Sequence, residues 1–401
     1  MRARLIRRST VYLALALGLF APAAGAMDGD NGALTPATAD AMAQAASPEA
    51  IEAYRLAFRE YQQARAAFEE DAGAYWGAIA DKRRVRNAKR RDHQPIEADD
   101  YVLAQPPVYA GPKRPIKPSP EPEPERPPRE RKHIPVVADL LNAVAAQFQF
   151  RPQRPSSEME FKRAYARVAA ASGLTREQAV RVYSFETGGT GNYDVQSGIE
   201  HGGTRAISTA MGYNQLLTTN SVELVAEQGS EFVRALTARA ASLSGAARQA
   251  MDAKIAVLKR MVALARSVPD DWSAHGRIAD TQAGWAIHAM VLDIDVGPLL
   301  QTHKLLTSVL FARAKGYTRP LSAAELEMMN LTGDGTGFDM VTMPQALRER
   351  VPTANFFQRN GYERNPVAIR HNTVAKLLAV TDSRMDSNSH LQGARDLAAA
   401  F

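Results

Sequence analysis

The chain has 401 residues, 45% of them hydrophobic and 23% charged, and no cysteine. The apolar share excludes wholesale disorder, and the absence of cysteine excludes disulfides, thiolate metal sites, a cysteine nucleophile and a lipid-bearing cysteine. The formal charge of +6 is unevenly spread: +4 falls in residues 1–26, −2 in 27–150 and +4 in 151–401. Outside the first 26 residues the chain is close to neutral, so no nucleic-acid partner is expected.

Arg2, Arg4, Arg7 and Arg8 precede an apolar stretch from Val11 to Phe20, then Pro22 and the small-residue run Ala24-Gly25-Ala26. That order is the order of a secretory signal peptide, here residues 1–26, with cleavage before Met27. Its apolar stretch of about ten residues is too short to span a bilayer, which takes roughly 20. No later segment is long and apolar enough, so no stable membrane span is expected and the location implied is periplasmic. Residues 27–46, rich in Ala, Asp and Thr, read as a flexible lead-in.

Residues 47–100 read as an amphipathic helical region. Ser47-Pro48-Glu49 is a helix start: a cap, a first-turn proline and an acid. Ile51, Tyr54, Phe58, Tyr61, Phe68, Tyr75 and Ile79 then recur at helical spacing, interrupted at Arg65 and Ala72. This 51–79 stripe predicts a helix of about 40 residues packing on a partner helix, another domain or a protein partner, with membrane-surface binding as the other reading. Lys82 to Arg91 holds seven basic residues in ten, either a solvated helix end or a contact for anionic lipid or acidic polymer. Residues 101–135 form a Pro-rich linker. Eleven of the 23 prolines lie between 106 and 135, and proline fixes φ and removes a donor, which favours an extended spacer.

From 136 to 401 the pattern is helix after helix. Ser157 with Glu160, Thr175 with Gln178, Asn220 with Glu223 and Ser322 with Glu325 are capping-box pairs. Stripes at 159–172, 221–242, 246–267, 281–292, 298–313 and 367–380 have helical spacing, and about 221–280 reads as an insertion of paired helices. One Gly-rich irregular region, Gly188 to Gly203, interrupts them. No dinucleotide fingerprint, P-loop, HExxH helix or GxSxG elbow occurs. The histidines lack metal-ligand spacing, so neither a metal nor a cofactor is expected.

The helix opened by Thr175 places Ala179, Val182, Tyr183 and Glu186 at i, i+3, i+4 and i+7, so a carboxyl continues an apolar stripe and meets Gly188-Gly189. Burial disfavours the charged form and raises the pKa, the requirement for a general acid. The other reading of the same pattern is a structural Glu bonded to loop amides.

Ser184-Phe185-Glu186-Thr187-Gly188-Gly189, followed some 20 residues on by Ser208-Thr209-Ala210-Met211-Gly212-Tyr213-Asn214-Gln215-Leu216-Leu217, resembles the lytic transglycosylases of the lysozyme superfamily. In that family a catalytic Glu, usually followed by Ser, ends a helix, and a Ser…Gly-Leu-Met-Gln-Leu run lines the sugar cleft. The resemblance covers about 160–365. Glu186 matches the catalytic position, and Gly212, Gln215 and Leu216 match the second motif. Met329-Asn330-Leu331-Thr332-Gly333 stands for the third, an aromatic-Asn-x-Gly turn, with Phe356, Phe357 or Tyr362 as the late aromatic. The departures are Thr187 for Ser, Tyr213-Asn214 for Leu-Met, and Met329 with one extra residue in the third motif.

The resemblance implies a mainly α, lysozyme-like fold and an enzyme acting on peptidoglycan glycan strands without a cofactor. The Glu would cleave the MurNAc–GlcNAc bond and then draw the C6 hydroxyl onto C1, leaving a 1,6-anhydro end. Gln215, Tyr213, Asn330, Tyr193 and Phe356 are the expected substrate contacts, and Ser184 and Ser208 the expected supports of the Glu186 carboxyl. Asp194 and Glu200 are the nearest candidates for the second acid of a lysozyme-like hydrolase. The third reading is a non-catalytic envelope protein that binds glycan or scaffolds partners.

Overall fold

The computed structural model describes residues 47–118, 133–199 and 205–401. The expected signal peptide and lead-in, residues 119–132 of the Pro-rich stretch and Glu200 lie outside the described residues. Among the described residues the chain is mainly α, with sixteen helices and no strand. They divide into two compact units, one of 47–118 with 350–355, the other of 133–349 with 356–401.

The first unit is built on α1 (Pro48–Arg91), 44 residues long. Ser47 accepts a hydrogen bond from the Ala50 amide at 3.2 Å, and Pro48 occupies the first turn, as the start signal requires. Ile51, Tyr54 and Ile79 of the stripe are buried, and so is Ala72, whose small side chain permits close packing. The Pro-rich stretch is not a free spacer over its first half. Tyr75 donates to the Ala104 carbonyl (3.0 Å), and Tyr109 packs edge-on against Phe68 and Tyr61. Residues 101–118 thus supply part of the cover that the stripe called for.

The basic cluster also has a use that neither sequence reading anticipated. Arg83 and Arg86 are buried and both donate to the Asn355 carbonyl, at 3.2 and 3.1 Å. Arg86 also donates to the Asp100 carbonyl and covers the Tyr101 ring, and Lys89 pairs with Asp100 at 2.7 Å. Asn355 in turn brackets Val102, accepting from its amide and donating to its carbonyl. Arginines here continue a buried stripe because fixed carbonyls take up their donors.

The second unit runs through α2 (Val137–Phe148), α3 (Glu158–Ala171), α4 (Arg176–Glu186), α5 (Thr218–Ala240), α6 (Gly245–Ala265), α7 (Trp272–Ala279), α8 (Gln282–His288) and α9 (Val296–Ala314). It continues through α10 (Ala323–Thr332), α11 (Asp334–Thr342), α12 (Gln345–Arg348), α13 (Arg359–Glu363), α14 (Pro366–Arg370), α15 (Val374–Ser389) and α16 (Gln392–Ala400). The capping boxes at Thr175 and Ser322 form with both reciprocal bonds. Asn220 differs: α5 starts earlier, at Thr218, and Asn220 caps from inside by accepting the Leu217 amide. The stripe at 367–380 is split, because Thr373 caps a new helix after α14 ends. Helices α5 and α6 pack together across the expected insertion, and α4 is enclosed by α3, α10, α15 and α16. No single helix among the described residues is long and apolar enough to cross a membrane.

Candidate active site

Helix α4 delivers Glu186 to its last turn. Ala179, Val182 and Tyr183 are fully buried, so the stripe fixes the helix's rotation and directs Glu186 to the same side. Thr187 then ends the helix, its amide and hydroxyl both donating to the Tyr183 carbonyl (3.0 and 2.8 Å). Gly188 and Gly189 follow with φ of +66° and +76°. A Cβ at Gly189 would lie 2.3 Å from the Asn388 carbonyl oxygen, so only glycine fits this turn against α15.

The Glu186 side chain is half-buried. Asn330 Nδ2 donates to its Oε1 at 3.1 Å, and among the described residues no loop amide bonds it. Burial pushes its carboxyl up from 4.5 to about 7, against the opposing pull of the Lys304 and Arg384 charges and the Asn330 hydrogen bond. At neutrality the group therefore exists in both protonation states, which suits a residue that gives and then takes a proton.

Asn330 and Glu327 stand three residues apart on α10, on one face of a helix that packs on α4. Glu327 is 0% exposed, and its carboxyl lies well above the ordinary range through burial first and the neighbouring Glu186 charge second. On α9, Lys304 faces the carboxylates of Glu223, Glu186, Asp334 and Glu327, and its own desolvation lowers its pKa. Sequence reasoning missed Glu327. The signal was there, a Glu at i−3 from the Asn in a short helix otherwise rich in Ala, Leu and Met.

The second motif forms a closed turn. Met211 and Leu216 exchange two backbone hydrogen bonds at 3.0 Å each, and the Gly212 amide donates to the Val195 carbonyl. Gln215 adopts φ +42°, uncommon for a residue with a side chain. Its Nε2 donates to the Gly212 carbonyl at 2.9 Å, and its side chain is only partly buried. The turn is held from α9 by Gln301, another residue the sequence did not flag. Gln301 Oε1 accepts the Asn214 amide (2.8 Å), its carbonyl accepts Asn214 Nδ2 (2.7 Å), and its Nε2 donates to the Met211 carbonyl (3.2 Å).

Several expected roles take other forms. Tyr213 is fully buried, with the rings of Phe161, Tyr165 and Tyr183 edge-on around it and its hydroxyl donating to Glu158. Its ring therefore offers no face to a sugar. Tyr193 is also buried, between Phe161 and the Arg154 guanidinium, and Phe356 is buried. Ser184 donates to the Val180 carbonyl and Ser208 accepts from the Ala210 amide, so neither supports Glu186. The reason at Ser184 is rotation: two residues along a helix is about 200°, the opposite face. Asp194 is paired with Arg154 at 2.5 Å and shares no bond with Glu186. Met329 to Thr332 form the last turn of α10, closed by Gly333 at φ +83°, rather than an open turn.

Compared with known proteins, this chain has no match: no family model, no curated protein and no solved structure corresponds to it.

Proposed function

We propose that the chain is an exported, divergent lytic transglycosylase that cleaves the MurNAc–GlcNAc bond of peptidoglycan in the periplasm, with Glu186 as its single catalytic carboxyl. One observation carries the reading: Glu186 sits half-buried at a helix end, its carboxyl raised to about 7 by burial and bonded by Asn330. In the reaction Glu186 protonates the glycosidic oxygen as the C1–O bond breaks. The resulting carboxylate takes the proton of the muramyl C6 hydroxyl as that oxygen bonds to C1. The proton count on Glu186 is restored, and neither a second carboxylate nor water enters. Asn330 orients the carboxyl throughout, and Gln215, half-exposed in its strained turn, is the polar group offered to the sugar.

The test is digestion of purified sacculi with mass spectrometry of the new sugar ends. The wild type should release 1,6-anhydro ends, Glu186→Gln should lose about 10²–10⁴-fold in rate, and Asp194→Asn should stay within about tenfold. New reducing ends together with an inactive Asp194→Asn would make the protein a hydrolase. Glycan binding without any cleavage would favour the non-catalytic reading.

A further inference from the structure

Behind Glu186 lies a carboxyl that the proposed reaction does not consume. Both oxygens of Glu327 are buried and lack a hydrogen-bond partner of normal geometry among the described residues. Besides burial, the groups that act on it are Glu186, Asn330 and Lys304. The charged groups that act on the pair come from several elements: Lys304 of α9 and Arg384 of α15, with Glu223 of α5 and Asp334 of α11 acting in turn on Lys304.

Two neighbouring carboxyls in such a place cannot both ionise, so the pair retains a proton. Its location follows from burial and donors. Glu186 keeps part of its surface open, accepts the Asn330 amide and is drawn toward ionisation by Lys304 and Arg384. Glu327 is 0% exposed. The charge therefore falls on Glu186 and the proton stays on Glu327. Stability gives no reason for an acid at 327, since an apolar residue of that volume is usually as good or better in a core.

We propose that Glu327 is a positioning residue, a carboxylic acid that stays protonated beneath Glu186 and donates a hydrogen bond to its carboxylate after Glu186 has given its proton to the leaving oxygen. The effect on rate rests on the transglycosylase reading; the location of the proton does not. An O–H···O⁻ bond of this kind is charge-assisted and strong. It appears only when Glu186 is charged, that is, between the two proton transfers. The Glu327 proton never leaves, so the overall balance of the reaction is unchanged.

The experiment uses the full chain with ¹³C-labelled Glu side-chain carboxyls, titrated by NMR, beside Glu186→Gln and Glu327→Gln. About two pH units above the Glu186 value of about 7, a protonated carboxyl signal should persist in Glu186→Gln and vanish in Glu327→Gln. A signal lost in Glu186→Gln and kept in Glu327→Gln overturns the proposal, as does a Glu327 that titrates like an ordinary carboxylate. Glycan cleavage supplies a second arm. Glu327→Gln keeps a neutral donor and should hold its rate within about tenfold. Glu327→Leu removes the donor, so the charged form of Glu186 is disfavoured and the alkaline limb of activity should move upward by about one pH unit. A limb that stays in place in a folded Glu327→Leu, or a loss of about 10²-fold or more in Glu327→Gln, refutes the positioning role. If the wild type cleaves no glycan, the transglycosylase reading falls, and the NMR titration still decides where the proton resides.

Discussion

Replacing Lys254 with methionine (Lys254→Met) probes the ion cluster that fixes the start of α9, the helix carrying Gln301 and Lys304. Lys254 and its partners Asp293 and Asp295 are all buried, with Lys254 Nζ 2.8 Å from Asp293 Oδ1 and in contact with Asp295. Removing one partner of a buried pair costs about 3–5 kcal/mol, because a charge is left desolvated. Here the loss is cushioned. Asp293 still accepts the amides of Gln153 (2.8 Å), Asp295 (2.9 Å) and Val296 (3.1 Å), and Asp295 keeps Arg239. The expectation is thus the lower end, about 3 kcal/mol at neutral pH, a large part of an ordinary domain's 5–15 kcal/mol. Burial already raises the Asp293 pKa, with Lys254 opposing it. Without Lys254 it rises further, so the folded variant binds a proton more tightly than its unfolded chain does. Its deficit should shrink as pH falls through the folded-state value. Urea unfolding at neutral and mildly acidic pH measures both quantities, and adding Asp293→Asn to the variant should recover part of the loss. A deficit below about 1 kcal/mol at neutral pH, or one that grows with acid, would refute the argument.

Other consequences are open to the same kind of measurement. Gly212 has φ +77°, and a Cβ there would lie 2.1 Å from Gln301 Nε2. Gly212→Ala should cost about 2 kcal/mol or more, from left-handed strain plus displacement of Gln301; wild-type urea stability in that variant would contradict the described turn. His288 is fully buried, bonded to Ser221 at 2.8 Å and to the Thr209 carbonyl at 2.9 Å, and burial pulls its pKa down to about 4. Its unfolded value is near 6.5, so across that window the unfolded chain binds the proton. The stability His288 contributes is complete above the unfolded value and is lost as pH falls, by about 3 kcal/mol over the full span. His288→Gln should flatten that part of the stability–pH curve, and an unchanged slope would show that His288 is not its source.

What the sequence determined by itself were the features that depend on near neighbours along the chain. A cap, a first-turn proline and a 3.6-residue period act within one or two turns, which is why α1, α3 and α4 begin at Ser47, Ser157 and Thr175 as read. The position of Glu186 was legible for the same reason: three buried residues on its own helix fix which way it faces. Tertiary structure alone decided what meets it. Asn330 lies 144 residues away and Glu327 slightly nearer, and no local period relates α4 to α10. The same limit explains the misplaced roles. A tyrosine in a cleft motif and a tyrosine in a core have the same local pattern; what buried Tyr213 was the arrival of Phe161, Tyr165 and Tyr183 from two other helices. Seven basic residues in ten read as a solvated surface until Asn355, some 270 residues on, supplied the carbonyl that lets Arg83 and Arg86 be buried. Burial of a charge depends on partners brought in by folding, and that information lies in the packing of distant segments rather than in the segment itself.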